Sequence, residues 1–148
     1  MASIRGAVLC TIVALAIPAL GACSSDDGKT VNVTAADFSL TPDTSSVAAG
    51  DVKFKVKNTG AFTHEMVVVK VADASDLPTD PNGEVNEDKI PAPERIGEVE
   101  DVFPGKSKTL KLKLDPGKYV LFCNKVDGAE TVHFKKGMHT DFTVTAAT

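Results

Sequence analysis

Histidine and cysteine are scarce, with three of each in 148 residues. Three histidines are too few to build a cluster of several metal ions. The chain has no glycine-rich phosphate loop. No segment shows the apolar spacing of an amphipathic helix, which argues against helical and α/β architectures. An excess of positive charge is also missing. The formal net charge is −4, so nucleic acid is not an expected partner.

The chain has one long apolar run. After Arg5 it reads "GAVLCTIVALAIPALGAC" and passes abruptly into the polar "SSDDGKT". A membrane span needs roughly 20 apolar residues, so this segment reads as a signal peptide over 1–22. Leu20-Gly21-Ala22-Cys23 matches a bacterial lipobox, in which the cysteine receives a diacylglyceryl group and becomes the mature N-terminus. The alternative is an ordinary signal peptide cut near Ala22, with Cys23 left as a spare thiol. On the lipobox reading, residues 23–30 are a lipidated tether and 31–148 form one domain. The protein is then exported and anchored by lipid to the bacterial membrane, facing the periplasm or the cell exterior. Cys10 is discarded and Cys23 alkylated, which leaves Cys123 as the one thiol of the folded domain and excludes an internal disulfide. In an oxidising compartment such a cysteine is either buried and inert or functional.

After the tether nearly everything reads as β. "DVKFKVKN" alternates Val52, Phe54 and Val56 with lysines, and "KTLKLKLD" does the same with Leu110, Leu112 and Leu114. Period-two alternation means strands with one face buried and one wet. "HEMVVVKV" from His64 is continuously apolar and suits a central strand. "VNVTAADFSL" leads the set, and "GKYVLFC" and "HTDFTVTA" complete it. Turn signals such as "AAGD", "NTG", "FPGK" and "DPGK" stand between the runs. The expected fold is all-β, an antiparallel β-sandwich or barrel. One segment breaks the rhythm: residues 72–105 hold ten acidic residues, two basic ones and five prolines. This is expected to be a long acidic loop excursion, either solvated or functional.

The chemistry gathers near the C-terminus. In "YVLFCNKVDGAETVHFKKGMHTDF", Cys123, His133 and Met138 follow one another, and His64 lies far upstream at the start of a strand. A thiolate, two imidazoles and a more distant thioether are the ligand set of a blue-copper site. His139 competes with His133, but it follows Met138 directly, and adjacent strand residues point oppositely. Glu65 is a further carboxylate beside His64. A cysteine protease would need an activating helix N-terminus and a general base beside the thiol. Thioether is not a usual zinc ligand.

On "NTGAFTHEMVV" and "GKYVLFCN…HFKKGMHTDFTV" the chain resembles the cupredoxins of the plastocyanin and azurin type. The resemblance implies a Greek-key β-sandwich holding one type 1 copper ion. His64 is then the upstream ligand, Cys123 the thiolate, His133 the second imidazole and Met138 the axial thioether. The four-residue gap from His133 to Met138, with Gly137 inside it, agrees with the plastocyanin pattern. Two features depart from the family. Nine residues separate Cys123 from His133, a longer gap than is usual there. Glu65 stands where an asparagine commonly ties the ligand loops together, so the site is expected to be less rigid.

The function implied is single-electron transfer between extracytoplasmic or membrane-bound redox proteins by a monomer, not enzymatic conversion of a small molecule. Lys135 and Lys136 are expected to dock an acidic partner. Two alternatives stay open: copper storage or delivery to an oxidase, and a metal-free β-sandwich interaction module.

Overall fold

The computed structural model describes residues 28–128 and 131–147. Eleven strands follow one another: β1 (Lys29–Ala36), β2 (Ser39–Pro42), β3 (Ser46–Ala48), β4 (Gly50–Asn58), β5 (His64–Val69), β6 (Arg95–Val102), β7 (Ser107–Leu114), β8 (Gly117–Phe122), β9 (Val126–Asp127), β10 (Thr131–Val132) and β11 (His139–Thr145). They form a four-stranded sheet in the order β2-β1-β4-β7, a five-stranded sheet in the order β3-β11-β8-β5-β6, and the small β9-β10 hairpin. The two separate sheets make this a β-sandwich rather than a barrel, as the family resemblance implies. Pairing is antiparallel except between β1 and β4 and between β11 and β3, which run parallel. The segment "VNVTAADFSL" is not one strand but a hairpin, with Asp37 and Phe38 at its turn between β1 and β2.

Alternation decides what faces inward. Val31 and Val33 of β1, Val52, Phe54 and Val56 of β4, Met66 and Val68 of β5, and Phe142 and Val144 of β11 fill the space between the sheets. Leu114 joins them, whereas Leu110 and Leu112 pack at the margin and stay partly exposed.

The acidic excursion is more ordered than its composition suggests. Its last part is strand β6, which pairs antiparallel with β5. Its first part holds two short 3₁₀ turns, Ala74–Asp76 and Glu87–Lys89. Leu77, Val85 and Ile90 turn inward and pack on Val67, Val69, Val120 and Phe122, forming a second core outside the five-stranded sheet. β5 and the end of β8 are therefore buried on both faces, which is why they read as unbroken apolar runs. No helix among the described residues is long and apolar enough to cross a membrane. The tether residues 23–27 and the proposed signal peptide lie outside the described residues.

Candidate metal centre

Four chain segments meet at one end of the sandwich. His64 opens β5, Cys123 follows β8, His133 follows β10, and Met138 precedes β11. The Cys123 N–H donates to the Met138 carbonyl at 3.0 Å, and the Met138 N–H donates to the His133 carbonyl at 3.1 Å. Gly137 makes the return between the last two possible, at φ 96°, a conformation that strains any side chain. Met138 is fully buried in the core cluster that includes Cys123. His139 is exposed, its ring 5.0 Å from that of Phe134. Strand alternation thus separates Met138 from His139 in the expected sense.

The three donors from His64, Cys123 and His133 are buried and converge. His64 Nδ1 lies 3.2 Å from His133 Nδ1, and Cys123 Sγ lies 4.0 Å from the first and 3.4 Å from the second. Among the described residues these three form the one His, Cys, Asp or Glu group able to hold a metal ion, with donor atoms within 4.8 Å of one another.

Both imidazoles are held from behind by carboxylates. His64 Nε2 lies 2.8 Å from Asp37 Oδ1, and His133 Nε2 lies 2.6 Å from Asp127 Oδ2. A carboxylate on Nε2 takes that N–H and leaves the Nδ1 lone pair to face the thiol. Asp37 is held in turn by the Ala61 N–H at 2.8 Å. Burial works against its charge, but this amide and His64 outweigh the penalty and leave its carboxyl below the usual range. Gly60 leaves the room for this pair. A Cβ there would collide with Asp37 Oδ1 and come within 3.0 Å of His64 Nε2. Burial lowers the His64 pKa, although Asp37 opposes the shift, so the ring is neutral and able to coordinate. Burial also pushes the Cys123 thiol up to about 11, with the Glu65 and Lys125 amides partly offsetting it.

Glu65 corrects the expectation of a looser site. Its N–H donates to Cys123 Sγ at 3.4 Å, while its Oε1 accepts from the Asn124 N–H at 2.9 Å. Its Oε2 lies 3.4 Å from Lys125 Nζ, which also reaches Asp101 at 3.0 Å. Burial raises the Glu65 pKa, and Lys125 pulls it back. Glu65 therefore ties β5 to the cysteine loop as an acceptor, and it is not among the converging donors. Asn124 extends the tie: its side chain exchanges hydrogen bonds with the Val85 backbone at 2.8 and 2.9 Å and donates to Glu87 Oε1 at 2.9 Å. The long gap before His133 is built the same way. Its described part is the β9-β10 hairpin, and the His133 N–H donates to the Lys125 carbonyl at 2.9 Å.

Sequence reasoning missed Asp37, Asp127, Asn124 and Lys125. Asp127 was findable, since it lies inside the gap between two candidate ligands. Asp37 is 27 residues from His64, and only the fold brings them together. Lys135 and Lys136 are exposed beside the centre, and the Lys135 side chain runs over Gly83 of the excursion.

The donor set fits copper: two imidazole nitrogens, one thiol sulfur and a buried thioether, where soft sulfur suits Cu(I) and imidazole suits both oxidation states. A cation among these donors would reverse the cost of the thiolate, because a coordinating thiol gives up its proton.

Comparison with known proteins agrees. A family model described as the cupredoxin-like domain matches residues 7–139. Auracyanin from Roseiflexus castenholzii is 23% identical over 79% of this chain and 97% of its own, with a TM-score of 0.56. Auracyanin A, a "blue" copper protein from Chloroflexus aurantiacus, is 20% identical over 78% of this chain and 97% of its own, with a TM-score of 0.53. Rusticyanin from Thiobacillus ferrooxidans is 17% identical over 79% of this chain and 78% of its own, with a TM-score of 0.51. At these identities the likeness is one of fold. Comparison with curated proteins finds no match. The family match takes in all four residues that the strands assemble here, and so the chain belongs to the cupredoxin-like family, its cofactor a single type 1 copper ion.

Proposed function

We propose that this protein is an exported, lipid-anchored carrier of single electrons between extracytoplasmic or membrane-bound redox proteins. On this reading it works as a monomer and is not an enzyme. His64, Cys123 and His133 would hold the copper together with the Met138 thioether, and the bound ion would supply one-electron exchange between Cu(I) and Cu(II). Residues 1–22 would be removed as a lipoprotein signal peptide, and Cys23 would carry the lipid.

The observation that carries the reading is the convergence of two Nδ1 atoms and one Sγ in a buried, pre-positioned group. Transfer of a single electron is fast when little has to move, and this chain restrains each donor before any ion arrives. Asp37 and Asp127 fix the rings, Glu65 and Asn124 fix the cysteine loop, and Phe38 and Phe62 lie against His133 with ring centroids at 4.9 and 6.0 Å. Those two phenylalanines also keep water from the imidazole. We further propose that Lys135 and Lys136 form part of the docking surface, since both are exposed next to the centre. Copper delivery is the competing function, and the nine-residue gap motivated it. The ties on that loop favour retention over exchange.

The test is the visible absorption of the protein loaded with one equivalent of Cu(II), beside a Cys123→Ser control. An intense band near about 600 nm that the control lacks is the outcome expected of a copper–thiolate site. A colourless protein would overturn the reading. Rapid loss of copper to a moderate chelator from the folded protein would favour delivery.

A further inference from the structure

Among the described residues one non-glycine has a positive φ: Asp101, at 49°. It sits near the end of β6, the edge strand of the five-stranded sheet. There the register with β5 slips. His64 pairs with Val102 and Met66 with Val99, so Glu100 and Asp101 stand against the single residue Glu65. Two residues against one make a β-bulge, which bends its strand and re-aims a side chain. The bulge lets Val99 and Val102 both reach the core although they are three residues apart. The core thus requires an extra residue here, but not an aspartate. The left-handed region is open to glycine without cost and to other residues only against steric resistance.

The side chain shows what the bulge aims at. Asp101 Oδ1 lies 3.0 Å from Lys125 Nζ, and Glu65 Oε2 lies 3.4 Å from the same nitrogen. The Asp101 side chain is 51% exposed. An ion pair this open to water adds little to stability. Stability alone therefore gives no reason to keep an aspartate in a conformation that suits glycine. What the pair fixes is a position. Lys125 lies two residues beyond Cys123, and its carbonyl accepts from the His133 N–H at 2.9 Å. The β9-β10 hairpin starts directly after it, with Val126 paired to Val132. His133 is thus fastened to the sheet through Lys125, and Lys125 through carboxylates on β5 and β6. The long gap between Cys123 and His133 is closed at this one residue.

We propose that Asp101 is a positioning residue for the metal centre. From its bulge it clamps Lys125, and the clamp holds His133 against the cysteine loop, so that a bound copper ion is retained rather than exchanged. The link to retention rests on the reading of His64, Cys123 and His133 as the copper donors.

Asp101→Gly tests this, because glycine keeps φ 49° without strain and the bulge survives while the clamp is lost. In the metal-free protein the His133 amide should exchange with solvent roughly tenfold faster in this variant, whereas exchange within β5 and the urea midpoint should not worsen. The copper-loaded variant should lose its ion to a chelator about tenfold faster, the lower end of what partners behind metal ligands are worth. Asp101→Asn tolerates the left-handed region and keeps a side-chain oxygen for Lys125, so it should restore most of both effects. Equal His133 exchange in Asp101→Gly and its parent would overturn the proposal. So would faster exchange throughout β5 with a lowered urea midpoint, since Asp101 would then act on the fold as a whole. Unchanged copper loss beside a faster His133 amide would overturn the link from clamp to retention. The copper reading is judged separately, by the visible band of the parent; if that band is missing the reading fails, and the His133 amide alone decides the clamp.

Discussion

Asp127 and Asp37 do the same work on two rings that reach the centre from different directions. Each accepts from an Nε2, and so each decides which nitrogen of its histidine faces the thiol. Neither is a ligand, and no histidine-cysteine-methionine pattern points to them. Partners of this kind typically matter by about 10- to 100-fold in metal affinity. Asp127→Asn is therefore expected to weaken Cu(II) binding by about that factor, measured by competition with a chelator. The thermal midpoint of the metal-free protein should change little, because the Asp127 side chain is partly exposed. An unaltered affinity would show that the hairpin alone holds His133. Glu65 teaches the complementary lesson. A substitution that seemed to remove a tie supplies another, because a carboxylate accepts from the Asn124 amide where an asparagine would have used its own pattern of donors and acceptors.

At the level of elements, β5 and β8 are the informative strands. A strand in a two-layer sandwich should alternate, and these do not. The excursion explains the difference by burying Leu77, Val85 and Ile90 on their outer face. A solvated insertion would tolerate truncation of these residues at almost no cost. A second core would not: Ile90→Ala is expected to destabilise the protein by about 2–4 kcal/mol, read from the shift of the urea midpoint. An effect near zero would return the segment to the status of a surface loop. β6 escaped sequence reading because "RIGEVEDV" buries only Val99 and Val102, three residues apart, and carries three acids, so the apolar alternation is weak. The strand forms because β5 offers an open edge, a fact of tertiary structure. The β1-β2 hairpin escaped for a related reason. Its turn, at Asp37 and Phe38, carries no glycine or proline, and Phe38 itself packs on the core.

Across the whole molecule charge is segregated more sharply than composition suggests. The strands of one sheet carry half of the lysines, the acid-rich excursion packs its apolar residues on the other, and the copper end carries Lys135 and Lys136. If those two lysines steer an acidic partner, as proposed, Lys135→Gln with Lys136→Gln should lower the association rate several-fold at low salt and much less at high salt. Stopped-flow kinetics across an ionic-strength series measures this, and a rate indifferent to salt in both proteins would remove the lysines from docking.

The sequence by itself determined the all-β class and the candidate donors. Period-two alternation is a local property of strands, and cysteine, histidine and methionine announce their chemistry by type. Tertiary structure decided which groups stand behind those donors, what covers the outer face of β5 and β8, and where lysines of one sign come together. Each of these depends on distant segments meeting, as Asp37 meets His64 and Asn124 meets Val85. The free energy of such contacts comes from burial and from hydrogen bonds that exist only once both partners are in place.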